Sequence, residues 1–250
     1  MKLSVLCEYL DDFLASSDFE DYATAFNGLQ LERRGEVRVL RAAVDACQYT
    51  IDAAAREGAD LLLVHHGLMW GGLRPFTGPL YRRLSAALAA NLAVYSSHLP
   101  LDAHPEVGNG VGLVRAMGFE PGELFGEHRG RHLGYVVECD LPRDAWLERA
   151  QQAVERPAQL LPTGPERIRR FAVVTGSAAS YLDEASRAGC DALLTGEANH
   201  STYLEAEERN LNVALAGHYA TECFGVRALA QHLADRFDLA WSFIDHDTGL

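Results

Sequence analysis

Two stretches of the chain repeat one pattern, and the repeat limits the fold more than any other feature. Residues 51–66 read IDAAAREGADLLLVHH and residues 182–197 read LDEASRAGCDALLTGE. Each is a helical period, a Gly turn, an Asp and an apolar strand that ends in polar residues. A second pair follows the same rule. Residues 91–102 (NLAVYSSHLPLD) parallel residues 210–222 (NLNVALAGHYATE), with one extra residue in the later copy. Both end in a His, three residues and an acid: His98 and Asp102, His218 and Glu222. Duplication accounts for this, and so does chance recurrence, because Gly-x-Asp before a strand is common in βα units.

The rest of the chain agrees with βα units. Helical patterns are expected at 3–14, 49–57 and 80–90, and strands at 37–47, 59–64, 92–96, 170–175, 192–194 and 213–216. This alternation predicts an α/β fold: a layered sheet covered by helices, in two similar halves that face each other around a metal site. Residues 1–120 are expected to form the first half, with His65, His66 and Asp102. The Gly- and charge-rich stretch 120–132 marks a break, so 121–165 are expected as a linker and small insertion. Residues 166–250 then form the second half, with His218 and Glu222.

Of the 250 residues, 48% are hydrophobic and 23% charged, which supports a sizeable core and excludes wholesale disorder. The formal net charge of −13 disfavours generic nucleic-acid binding. Five cysteines without a C-x-x-C pair argue against a disulfide framework or a thiolate zinc knuckle. There is no signal-peptide pattern and no membrane-length apolar run, so a cytoplasmic protein without a membrane partner is expected.

In α/β sheets, ligands gather beyond the carboxyl ends of the strands. His65 and His66 end the strand LLLV there and precede Gly67, where a turn would let adjacent imidazoles reach different ions. Taken alone, the pair better suits a surface or capping role. His218 and Glu222 are four apart in a helical period, so they share a face; an ordinary solvated i, i+4 pair looks the same. Asp102 follows Pro100, which predicts a loop, and an N-cap role for Asp102 competes with a ligand role. Glu197 and His200 in TGEANH sit at the matching strand end, lining the cavity or opening a helix. Imidazole and carboxylate ligands without thiolate suit Zn, Mn, Fe, Co or Ni, and a carboxylate such as Glu222 can bridge two ions. A P-loop and a nucleophile elbow are absent. VVTGSAAS at 173–180 reads as strand, turn and helix, with Ser177 as a cap or the helix start as an anion site.

The motifs VHHGLMW, SSHLPLDAHPEVGNG, TGEANH and GHYATECFGV, in this order, resemble the YbgI-type dinuclear metal-centre proteins, the GTP cyclohydrolase I type 2 homologues. The resemblance runs from FNGLQ at Phe26 to FIDHD at Phe243, and the length matches the compact branch without a large central insertion. It implies two divalent metal ions per chain. His66, Asp102 and Glu222 would hold one ion and His65 and His218 the other, with Glu222 shared. It also implies a toroidal homohexamer. The activity it implies is hydrolytic opening of the guanine imidazole ring of GTP, or hydrolysis of a related nucleotide-like or phosphorylated small molecule. His98 and Glu197 are then the candidates for moving protons. Two other functions compete: a non-catalytic metal-binding or metal-handling ring, and a DNA-repair-associated ring.

Overall fold

The computed structural model describes all 250 residues. In chain order the first elements are α1 (Leu3–Phe13), β1 (Gly28–Leu31), β2 (Val39–Asp45), α2 (Gln48–Arg56), β3 (Leu61–His66), α3 (Gly78–Ala89), β4 (Ala93–Ser96), α4 (Leu99–Asp102) and α5 (Asn109–Ala116). Then come β5 (Glu123–His128), β6 (Arg131–Pro142), α6 (Arg143–Val154), β7 (Gln159–Leu161), β8 (Arg167–Val173), α7 (Leu182–Arg187) and β9 (Ala192–Thr195). The chain closes with α8 (Ser201–Glu208), β10 (Asn212–Leu215), α9 (His218–Thr221), α10 (Cys223–Phe237) and β11 (Ala240–Phe243). No helix is long and apolar enough to cross a membrane.

The strands form two sheets and the chain forms two compact units. The first unit is Met1–Val107 with Gly225–His246, and its sheet order is β1-β4-β3-β2-β11. Strands β11, β2, β3 and β4 run parallel, and β1 closes the edge antiparallel to β4. Leu61, Leu62, Leu63 and Val64 of β3 are fully buried, as expected for a central parallel strand covered on both faces. Each such side chain contributes roughly 1.5–3 kcal/mol. One side of the sheet packs on Ile51, Ala53 and Ala54 of α2 and Ala87 of α3.

The second unit is Gly108–Phe224 with Asp247–Leu250, and its sheet order is β5-β6-β8-β9-β10-β7. Here β8, β9 and β10 are parallel, β7 is antiparallel to β10, and β6 is antiparallel to both β8 and β5. Trp146, Ala150, Val111 and Val114 join Phe171, Leu194 and Ala214 in its core.

The mixed α/β architecture of two helix-covered sheets matches the sequence reading. The division at 120 and 165 does not match the units. The stretch 121–165 supplies β5, β6, α6 and β7, so it is half of a sheet and not a linker. Its Gly and charged residues misled because β5 and the end of β6 are half-exposed, and an antiparallel hairpin needs only one apolar face. The C-terminal part of the chain also divides: the helix α10 passes from the second unit to the first, which takes β11 as an edge strand.

The repeated motif has a structural cause. In the first unit Asp60 Oδ2 accepts the N–H groups of Arg38 and Val39 at 2.8 and 2.9 Å. In the second, Asp191 Oδ2 accepts those of Arg169 and Arg170 at 2.7 and 3.1 Å. Each Asp therefore satisfies the entry of the neighbouring parallel strand. The Gly two residues earlier, Gly58 or Gly189, ends the preceding helix with φ of 67° or 71°, the left-handed conformation that favours glycine. Asn91 and Asn210 match as well, with φ of 52° and 51°.

Candidate metal centre

In the first unit, the register of the parallel strands builds the site. Asp45 at the end of β2 lies beside His66 at the end of β3. His66 Nδ1 is 2.9 Å from Asp45 Oδ1. His65 Nδ1 lies 2.9 Å from the Ser97 main-chain oxygen, just beyond β4. His98 Nδ1 lies 2.9 Å from Asp21 Oδ1, and the His98 N–H donates to Asn27 Oδ1 at 2.7 Å. All three imidazoles thus have Nδ1 engaged by an oxygen, which orients Nε2. Outer-shell oxygens hold metal-binding histidines in this way.

Neighbouring strand residues point to opposite faces, yet the His65 and His66 rings sit with centroids 4.7 Å apart, because β3 ends there. His98 is 4.9 Å from His65 and 5.7 Å from His66. One ligand atom from each of the three lies within 4.8 Å of the others. Asp102 is 7% exposed and its Oδ2 is 3.6 Å from His65 Nε2. Trp70 packs against His66 and His98 with ring centroids at 4.7 and 4.6 Å.

Asp102 does not lie in a loop. Leu99–Asp102 form one helical turn, α4, with Pro100 in the first turn, where its missing N–H costs nothing. It is not an N-cap either, since Gly108 occupies that position for α5.

The second unit offers a carboxylate-rich counterpart. His218 opens α9 and Glu222 ends it, with Nε2 and Oε2 3.1 Å apart. Glu197, just past β9, takes His218 Nδ1 at 2.9 Å. Glu222 is only 4% exposed. Its carboxylate lies against Gly176: a Cβ there would meet Oε1 at 2.2 Å, and Gly176 also has φ of 65°. Thr221 Oγ1 accepts the Gly176 N–H at 3.0 Å, and Thr195 Oγ1 donates to the Gly176 oxygen at 3.0 Å. The Gly-Ser turn of VVTGSAAS therefore leaves room for a carboxylate. Ser177 is exposed and caps nothing, because Tyr181 precedes α7. His200 is exposed at the start of α8.

Electrostatics differ between the two sets. Burial lowers the His98 pKa below its ordinary value, against the raising effect of Asp21. Burial would raise the Asp21 carboxyl, but its bond to His98 outweighs that and leaves it lowered. For His218, burial is outweighed by Glu222 and Glu197, which hold its pKa up to about 9.

Sequence reasoning missed Asp21, Asn27, Asp45, Trp70 and Gly176. Asp45 had a readable signal, since it ends the strand beside His66. Asp21 and Asn27 lie in irregular chain before and at the approach to β1, where no periodicity marks them.

A divalent metal ion would fit this donor set. Three oriented imidazoles cluster in one unit, and an imidazole–carboxylate pair sits at the matching position of the other. Both are N/O donors suited to first-row divalent ions.

Known proteins resemble the chain over nearly its whole length. The chain is 41% identical over 249 residues to a Deinococcus radiodurans protein named GTP cyclohydrolase 1 type 2 homolog, covering 98% of this chain and 93% of the relative. A Pyrococcus abyssi protein of the same name is 40% identical, with 100% of both chains covered. Among solved structures, protein ybgI superposes with a TM-score of 0.91 at 36% identity, over 100% of both chains. Reduced HcgD from Methanocaldococcus jannaschii superposes with a TM-score of 0.85 at 25% identity, over 98% of each. The model of the Duf34/NIF3 (NGG1p interacting factor 3) family matches residues 1–249, and the chain belongs to that family.

Proposed function

We propose that this protein binds two divalent metal ions per chain through His65, His66, Asp102, His218 and Glu222, and uses them to hydrolyse a small nucleotide-like or phosphorylated molecule. The observation that carries the reading is the imidazole cluster, in which an oxygen engages each Nδ1. The names of the curated relatives support a GTP cyclohydrolase type of reaction. The ligand division implied by the motifs gives His66, Asp102 and Glu222 to one ion and His65 and His218 to the other, with Glu222 shared.

When bound, such ions polarise substrate oxygens and lower the pKa of water. The chain's own residues do the rest. Asp45 and the Ser97 oxygen hold His66 and His65 in one tautomer and ring orientation. Glu197 does the same for His218 and accepts a proton from its Nδ1 side. His98, held by Asp21 and buried beneath Trp70, keeps a neutral imidazole that takes up or delivers a proton at Nε2. His98 also fits a ligand role, because its ring belongs to the same cluster as His65 and His66. His98→Ala separates the two: a proton carrier leaves metal content intact and slows turnover, whereas a ligand loses metal.

The test is a screen of metal-reconstituted protein against a panel of nucleotides and phosphoesters, with chelated protein alongside. Turnover that vanishes on chelation supports the hydrolase. Turnover that survives complete metal removal refutes it. Full metal loading without turnover across the panel supports the metal-handling reading, which the imidazole cluster serves equally well. The assembly proposed is a homohexamer, and light scattering that reports a monomer at all concentrations would contradict it.

A further inference from the structure

The second unit contains a cavity of about 510 Å³ that the metal-binding reading touches only through Glu197. Its volume falls in the range of small-molecule sites, roughly 300–1,000 Å³. Gly196, Glu197 and Gly217, just past the carboxyl ends of β9 and β10, line it. Arg156 is the cation lining it.

Arg156 is held in place by the end of α6. Glu155 turns the chain with φ of 55°, and the Arg156 N–H donates to the Gln151 oxygen at 3.1 Å. The Arg156 side chain is 20% exposed, and its guanidinium forms an ion pair with Asp247, whose side chain is 41% exposed. Gly217 has φ of 91°, and a Cβ there would meet Arg156 Nη1 at 3.2 Å. Glycine therefore keeps the approach to the guanidinium open. Leu250 lines the same cavity, and its main-chain oxygen accepts the Tyr219 N–H at 3.2 Å. Segment 247–250 thus places a carboxylate on the arginine and an oxygen on a main-chain donor beside it. An anionic ligand would make the same two contacts. Glu197 also lines the cavity, but its carboxylate is turned to His218 Nδ1.

We infer that this cavity binds a small molecule bearing a phosphate or carboxylate group, with Arg156 as its anchor and Asp247 as the internal group that the ligand displaces. Arginine recognises both anions through paired N–H donors. An ion pair as exposed as that of Asp247 contributes little, so its exchange for a ligand anion is close to neutral. Arg156 and Asp247, the groups that decide binding, lie outside the proposed metal machinery, so the inference is tested apart from the metal reading.

The experiment is calorimetric titration of the full chain, metal-loaded and chelated, with inorganic pyrophosphate and with succinate. R156Q should weaken binding at least tenfold in both preparations, and R156K should fall between R156Q and the wild type. D247N should tighten binding several-fold, because it removes the competitor; a folding defect would not do this. Binding of pyrophosphate alone assigns a phosphate ligand, and binding of succinate alone a carboxylate. Binding unchanged by R156Q, a D247N protein no tighter than wild type, no binding of either probe, or binding confined to the metal-loaded protein would each overturn the inference.

Discussion

The two units share a core and differ at its edges. Each has three parallel strands, β2-β3-β4 or β8-β9-β10, with an antiparallel strand beside the last, β1 or β7. Beyond the first strand of each set they diverge: the first unit adds parallel β11, the second the antiparallel pair β6 and β5. They diverge again where chemistry begins. At the end of β3 stand His65 and His66, and at the matching end of β9 stand Gly196 and Glu197. His98 and Asp102 correspond to His218 and Glu222. One scaffold therefore presents imidazoles in the first unit and leans on carboxylates in the second. The repeated Gly, Asp and Asn maintain the turns, and the strand ends are free to vary.

Substitution should separate these roles, and the largest effect is expected at the proposed ligands. Glu222→Ala should lose more metal than any single His→Ala change, because it removes a proposed shared ligand. Its loss should exceed the roughly 10–100-fold in affinity that an outer-shell change costs. Elemental analysis after dialysis checks it, and metal retention equal to that of His65→Ala would remove the asymmetry. Asp45→Asn and Glu197→Gln test the orienting carboxylates, one from each unit. Each should weaken metal binding by about 10–100-fold while leaving the ligand count unchanged. Competition with a chelator measures this, and unaltered affinity would reduce Asp45 and Glu197 to bystanders.

Acid and base should act oppositely on the two units in metal-free protein. His98 has a lowered pKa, so the unfolded chain takes up its proton first as pH falls below about 6.5. Stability is lost there as pH falls. His218 has a raised pKa, so its stabilising ion pairs with Glu222 and Glu197 are fully present below about 6.5 and are lost as pH rises through about 9. NMR titration of the two imidazoles reads both directions, and His218 titrating below His98 would reverse the comparison. The smallest effect belongs to the scaffold. Asp60→Ala and Asp191→Ala each strip two main-chain N–H groups of a carboxylate acceptor. Each should destabilise its own strand entry by about 1 kcal/mol, because the stripped N–H groups are partly open to water. Hydrogen exchange at Val39 and Arg170 reports it, and a loss in one unit alone would show that the repeat is only apparent.

Much of this was legible from the residues. Apolar runs such as LLLV and ALLT marked buried parallel strands, because a strand covered on both faces has no polar side. The same logic failed at 121–165, where β5 and β6 form an antiparallel hairpin with exposed ends. The clustering of imidazoles and carboxylates at strand ends was legible because α/β sheets place polar sites there. Their supports were not. Asp21 reaches His98 across 77 residues, and no local pattern encodes such a contact. Pro100 predicted a loop because only the helix interior excludes proline, whereas α4 is a single turn with no interior.

The central claim is two ions for one chain, and metal stoichiometry tests it most directly. Protein reconstituted with Zn, Mn, Fe, Co or Ni and freed of excess should carry two ions per chain by elemental analysis. Saturation at one ion per chain would contradict the account.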